Sequence, residues 1–128
     1  MPLVRIDIPE GKPEAWIKAV ADGVHAALVA TGTVPADDRF QVIGEHKPGR
    51  LIADPQYMNI ARGPDFTLVQ IFWSVGRSDD LKRGLYAAIA RNLTADPGLR
   101  PEDVMVTLSE TNRIDWSFGH GIAQYRPQ

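Results

Sequence analysis

The chain has 128 residues, 16 acidic against 14 basic side chains, a formal net charge of −2 and no cysteine. That length suits one domain, and 44% hydrophobic residues with 23% charged ones is the composition of a globular protein with a real core. The charge speaks against nucleic acid as the main partner, and the lack of cysteine removes a disulfide framework and leaves a cytoplasmic setting open.

In chain order, Leu3, Arg5 and Asp7 alternate with Val4, Ile6 and Ile8 before Pro9-Glu10-Gly11. This period of two predicts a strand over about 2–8. Pro13 suits a first helical turn, and Ile17, Val20, Ala21, Val24 and Leu28 recur at helical spacing until Gly32. Lys18, Asp22 and His25 lie inside that helix, so it is not a membrane span, and the start of the chain lacks the pattern of a signal peptide. Arg39 to Glu45 reads as a second strand. Thr67 to Trp73 is β-branched and aromatic enough for a buried strand. Ser78 is a good N-cap, followed by Asp79 and Asp80 in the first turn of a second helix. Leu81, Leu85, Ala88, Ile89 and Leu93 form its apolar face, Asp96-Pro97-Gly98 ends it, and Val104 to Leu108 is a further strand. The stretch 46–66, with Gly49, Pro55, Gly63 and Pro64, is expected to be irregular with at most one short strand. The tail 112–128 is expected to form a hairpin or an extended arm.

The pattern is an α/β (α+β) fold of two β-α-β units, about 2–45 and 67–110, with a C-terminal arm over 112–128, in one domain spanning 1–128. Each crossover makes its two strands parallel and lays its helix on one face. The other face of the sheet then needs cover, which copies of the same chain supply most economically.

The most distinctive residue is Pro2. Methionine removal would leave it as the chain start with a free secondary amine, whereas a proline nitrogen elsewhere is an amide without a proton. Such an amine among apolar residues and near a cation loses proton affinity, which suits an acid/base near neutral pH. Leu3, Trp116 and Phe118 are the expected apolar wall and Arg77 the cation. Arg77 stands just before the second helix, where a planar fork of donors and helix N–H groups favour a carboxylate. Trp116, Phe118 and Tyr125 either line an apolar pocket or clamp a neighbouring subunit. His25, His46 and His120 lack metal-ligand spacing, so no metal is expected, and no phosphate-binding glycine loop is present.

Together with Pro2, the segments Val34-Pro35-Ala36-Asp37-Asp38-Arg39-Phe40-Gln41, His46-Lys47-Pro48-Gly49, Gly76-Arg77-Ser78, Pro101-Glu102-Asp103-Val104 and Asp115-Trp116-Ser117-Phe118-Gly119-His120-Gly121 resemble the tautomerase superfamily, in its malonate semialdehyde decarboxylase branch. The resemblance implies a homotrimer and a cofactor-independent enzyme acting on a small oxo acid. In it the Pro2 amine carries a proton, Asp38 assists that amine or a water, and Arg77 grips the substrate carboxylate. The reaction implied is decarboxylation of a 3-oxo acid. Keto–enol tautomerisation of the phenylpyruvate type and hydration of an unsaturated acid are the alternatives on the same parts, and a trimeric binding protein without chemistry is the alternative of another class. One departure stands out: the family pattern has two arginines in the loop before the second helix, and the earlier one falls here on Val75. Arg39, Arg50 or Arg113 could take its place.

Overall fold

A computed structural model describes residues 2–127. Four strands, β1 (Leu3–Pro9), β2 (Phe40–His46), β3 (Thr67–Ser74) and β4 (Val104–Thr111), and two helices, α1 (Glu14–Ala30) and α2 (Asp79–Ala95), follow in the order β1-α1-β2-β3-α2-β4. The sheet order is β2-β1-β3-β4. β1 and β2 run parallel, as do β3 and β4, while β1 and β3 meet antiparallel in the middle. The expected fold class is therefore the observed one.

Alternation in β1 and β3 decides which face is covered. Val4, Ile6 and Ile8 of β1 and Val69, Ile71 and Trp73 of β3 are buried, and they join Val20, Val24 and Leu28 of α1 and Leu85, Ile89 and Leu93 of α2 in one core. Both helices thus pack on the same face. Burying one such side chain stabilises the fold by roughly 1.5–3 kcal/mol, so a slip of one residue in either strand would turn the core outward. The opposite face carries Leu3, Arg5 and Asp7, in register with Phe40, Val42 and Gly44. Phe40, Val42 and Met105 on it are exposed apolar side chains.

The helix ends follow local chemistry. Pro13 is the residue before α1 rather than within its first turn. Thr31 Oγ1 donates to Ala27 O at 2.8 Å, and Gly32, at φ +73°, ends the helix in the left-handed region. Ser78 Oγ accepts the Leu81 N–H at 3.2 Å and caps α2, with Asp79 and Asp80 in the first turn.

One expectation is met and one is corrected. After His46, the last residue of β2, the stretch to Phe66 is irregular, with a single 3-10 turn at Tyr57–Asn59 and no further strand among the described residues. Its prolines and glycines deny it a ladder, and it is tied down from outside by Gly63 N–H on Asp103 Oδ1 at 2.6 Å and Lys12 Nζ on Asp65 Oδ1 at 2.5 Å. The tail is not a hairpin. After a 3-10 turn at Arg113–Asp115 it runs through turns and folds back on itself, where Gln124 accepts from Phe118 N–H at 2.9 Å and donates to Gly119 O at 2.9 Å. Glycines at positive φ, Gly119 and Gly121, break the extended run a hairpin needs.

Candidate active site

The sheet register gathers the sequence candidates at one end. Leu3 pairs with Phe40 on β2 and with Phe72 on β3. Pro2, just before β1, therefore shares its end of the sheet with Asp38 before β2 and with the loop 74–78 after β3. Ser74 pairs with Thr111 at the end of β4, and the Val75 N–H bonds Thr111 O at 2.9 Å. This brings the turn Arg113–Asp115 to the same end. Pro2 itself is buried.

Arg77 is held from three sides. Its guanidinium lies 4.5 Å over the Trp73 ring, Nη1 donates to Ser74 O at 2.5 Å and Nη2 to Thr33 O at 3.5 Å. The last bond links the loop after β3 to the loop that carries Asp38. Stacking of this kind is worth about 0.5–2 kcal/mol. Burial draws the Arg77 guanidinium below its ordinary range, opposed by the charges of Tyr125 and Glu110, and arginine remains a cation throughout.

A pocket of about 380 Å³ opens there, lined by Ser74, Val75, Gly76, Arg77, Arg113 and Tyr125. That volume suits a small organic acid. The Tyr125 phenol is pushed above its ordinary range by burial and by the negative charge of Asp38, while Arg77 and Arg113 pull it down. Tyr125 thus stays a neutral hydroxyl that can donate as well as accept.

The aromatic residues of the tail form one cluster. Phe118 stacks on Trp116 with centroids 5.8 Å apart and meets Tyr125 edge-on at 5.2 Å. Phe40 joins at 6.1 Å. Trp116 Nε1 donates to Thr111 Oγ1 at 2.6 Å, and Thr111 Oγ1 donates to Trp73 O at 3.0 Å, so the cluster is tied to the ends of β3 and β4. Phe40 was missed as a site residue in the sequence. The signal was there, because it opens β2 two residues after Asp38 on the uncovered face.

Of the three arginines named as stand-ins for a loop arginine at Val75, one lines the pocket. Arg39 donates to Asp22 at 2.7 Å and to Gln41 at 3.0 Å, on the α1 side of the sheet. Arg50 belongs to the turn after β2, at the far end of the sheet. Arg113 lines the pocket with Arg77. His46 pairs with Asp7 at 2.6 Å, also toward the far end, and His25 bonds Ala36 O at 2.9 Å. Among the described residues no three His, Asp or Glu side chains are grouped as a metal site requires.

Two family patterns, both described as tautomerase enzyme, match this chain, one over residues 38–119 and the other over 2–59. The chain belongs to the tautomerase superfamily. A Bacillus subtilis (strain 168) protein described as a probable tautomerase, YusQ, is 32% identical over 97% of this chain and 98% of its own. The crystal structure of FG41 malonate semialdehyde decarboxylase inhibited by 3-bromopropiolate superposes with a TM-score of 0.90 at 37% identity, covering 96% of this chain and 93% of that one. A second malonate semialdehyde decarboxylase, whose structures were related to decarboxylase and hydratase activities, gives 0.90 at 33% identity over 96% and 95%. The resemblance to the decarboxylase branch thus holds along nearly the whole chain, and the chain is a tautomerase-superfamily enzyme. Among the described residues no helix is long and apolar enough to cross a membrane.

Proposed function

We propose that this enzyme decarboxylates a small 3-oxo acid, using the Pro2 amine as its proton carrier. The reading is supported above all by one observation: the start of β1 and the Arg77 loop meet at the same end of the sheet, beside a pocket of about 380 Å³. Arg77 holds the carboxylate through donors not committed to Ser74 and Thr33, which its five-donor fork allows. The Pro2 ammonium hydrogen-bonds the carbonyl oxygen at carbon 3. The bond between the carboxylate carbon and carbon 2 breaks, its electron pair moves into the enolate, and carbon dioxide leaves. Pro2 then gives its proton to carbon 2, and solvent reprotonates the amine. Asp38 keeps that amine or an attacking water oriented. Trp116, Phe118 and Tyr125 exclude bulk water, which strengthens every polar contact inside. No cofactor enters this scheme.

The same parts move a proton next to a carbonyl, so keto–enol tautomerisation is the second reading. The likeness to a probable tautomerase over nearly the full chain favours it. Hydration of an unsaturated acid is a third use of the site. We further propose a single domain of two β-α-β units, over about 2–45 and 67–110, with an arm over 112–128, assembled as a homotrimer in the cytoplasm. The exposed Phe40, Val42 and Met105 on the sheet face without helices support an assembled form. Met1 lies outside the described residues, and the proposal requires its removal.

Intact mass of the protein from its native host tests the first step, and retained Met1 would end the scheme. The processed protein is then offered a panel of 2-oxo and 3-oxo acids. Release of carbon dioxide from a 3-oxo acid supports decarboxylation, whereas enol–keto exchange without it supports tautomerisation. Tight binding of the acids with no turnover of any of them would leave a trimeric binding protein.

A further inference from the structure

We propose that Arg113 is a substrate-binding residue. It supplies a second guanidinium to the pocket from the turn after β4, on behalf of the loop position that Val75 occupies. The pocket then selects small acids with a second oxygen acceptor on the carbon two bonds from the carboxylate carbon, over simple monocarboxylates. This inference rests on the reading of the same pocket as a substrate site, but not on Pro2 chemistry.

Two features of the structure carry it. The first is the division of labour between the two arginines. Arg77 is half-buried, stacked on Trp73 and bonded to two backbone carbonyls, so it is a fixed cation with part of its fork in use. Arg113 is exposed, and among the described residues its side chain makes no hydrogen bond or ion pair, although it lines the pocket with Arg77. A surface arginine is ordinary. One with an uncommitted fork, lining the same pocket as a second, immobilised guanidinium, is not, since two like charges in one pocket repel and an anion bound there relieves that repulsion.

The second feature is the rigidity of the turn that presents Arg113. Asn112 and Asp115 form a reciprocal cap, the Asn112 side chain accepting from the Asp115 N–H and Asp115 Oδ2 accepting the Asn112 N–H at 2.8 Å, and the Asp115 N–H also bonds the Asn112 main-chain carbonyl at 3.0 Å. Immediately after it, Trp116 is bonded to Thr111 and stacked on Phe118. Both flanks of Arg113 are therefore held, so its backbone position is set before any ligand arrives. Preorganisation of this kind lowers the cost of binding. The other charges near this site are Asp38, which faces Tyr125, and Glu110, which is bonded to Lys82 at 3.2 Å. The neutral Tyr125 hydroxyl lies among the same lining residues and completes the set of donors.

Binding rather than turnover tests this. Malonate and propionate have the same number of carbons but differ by one carboxylate. Calorimetry measures each against the wild-type protein, Arg113→Ala, Arg113→Lys and Pro2→Ala. The expected result is that Arg113→Ala weakens malonate at least tenfold, weakens propionate far less, and that Arg113→Lys restores part of the loss. Circular dichroism should not change, because the exposed Arg113 side chain makes no hydrogen bond or ion pair among the described residues. Unchanged malonate affinity in Arg113→Ala, an equal loss for both acids, or no malonate binding by the wild type would each overturn the proposal. Pro2→Ala separates the two claims: normal malonate affinity with normal turnover would remove Pro2 chemistry while leaving Arg113 in its role.

Discussion

The two ends of the sheet are built alike and equipped differently. At one end Pro2 precedes β1, the loop 74–78 leaves β3 and the turn at Arg113 leaves β4. At the other, Phe66 precedes β3, the loop after Pro9 leaves β1 and the turn at Lys47 leaves β2. Each end has a pocket, about 380 Å³ at the first and about 570 Å³ at the second, and Phe66 lines the second as a nearly buried side chain. The larger pocket is the poorer candidate. Its nitrogen at the equivalent position is a main-chain amide in mid-chain, and its arginine, Arg62, spends its Nη1 on the carbonyls of Asp54 and Tyr57. Pocket size does not identify the reactive end; a chemically distinct group does.

The largest test of this contrast exchanges the residues that open β1 and β3. Pro2→Ala should lower kcat by roughly 10²–10⁴-fold, the usual worth of a positioned general acid, with little change in melting temperature. Phe66→Ala should do the reverse, costing about 3 kcal/mol of stability with kcat intact. Steady-state kinetics and thermal unfolding of the two variants read both, and similar losses of kcat would erase the distinction between the ends.

A smaller effect is expected at Arg77. Arg77→Lys keeps a charge but loses the fork and the flat stacking face, so KM should rise by about tenfold, equivalent to about 1.4 kcal/mol. An unchanged KM would take Arg77 out of the site. Of similar size is the effect of Gly44→Ala toward the far end. A Cβ there would come within 2.6 Å of Asp7 Oδ1 and 3.2 Å of His46 Nε2, parting a pair now 2.6 Å apart. Denaturant unfolding should show a loss of about 1–2 kcal/mol, and kinetics should not move.

The smallest effect concerns the Tyr125 phenol. Its ionisation is held above the ordinary range by burial and Asp38, against the pull of Arg77 and Arg113. A cation favours phenolate, so Arg113→Ala should move that ionisation to still higher pH. Since the folded phenol ionises later than the unfolded one, its contribution to stability is present below the ordinary phenol range and fades as pH rises through and beyond it. Near-ultraviolet absorbance, taken as a difference against Tyr125→Phe, follows the titration, and an unmoved titration would place Arg113 away from the phenol.

Local pattern was enough for the elements that depend on neighbours in sequence. The alternation of Val4, Ile6 and Ile8, the helical recurrence from Ile17 to Leu28 and the cap at Ser78 each report a short-range preference, and the ranges they predict lie within a residue or two of the observed ones, save β4, which runs on to Thr111. The stretch 46–66 and the tail were harder to read. Their shapes depend on long-range ties such as Gly63 to Asp103 and Phe118 to Phe40, which no local period records.

For the site, residue type singled out Pro2 by its chemistry, and the family resemblance carried most of the case for Arg77 and strengthened that for Asp38. The amino-acid order also exposed Val75 as a gap in the carboxylate grip. It could not choose among Arg39, Arg50 and Arg113, because each is an arginine in polar surroundings. The parallel pairing of β3 with β4 puts Arg113 at the Arg77 end, and the antiparallel meeting of β1 with β3 brings Pro2 to that same end. Strand pairing joins residues far apart in the chain through hydrogen bonds that any sequence can make, so which ends meet is decided by packing both helices on one face, and becomes visible only in the folded molecule.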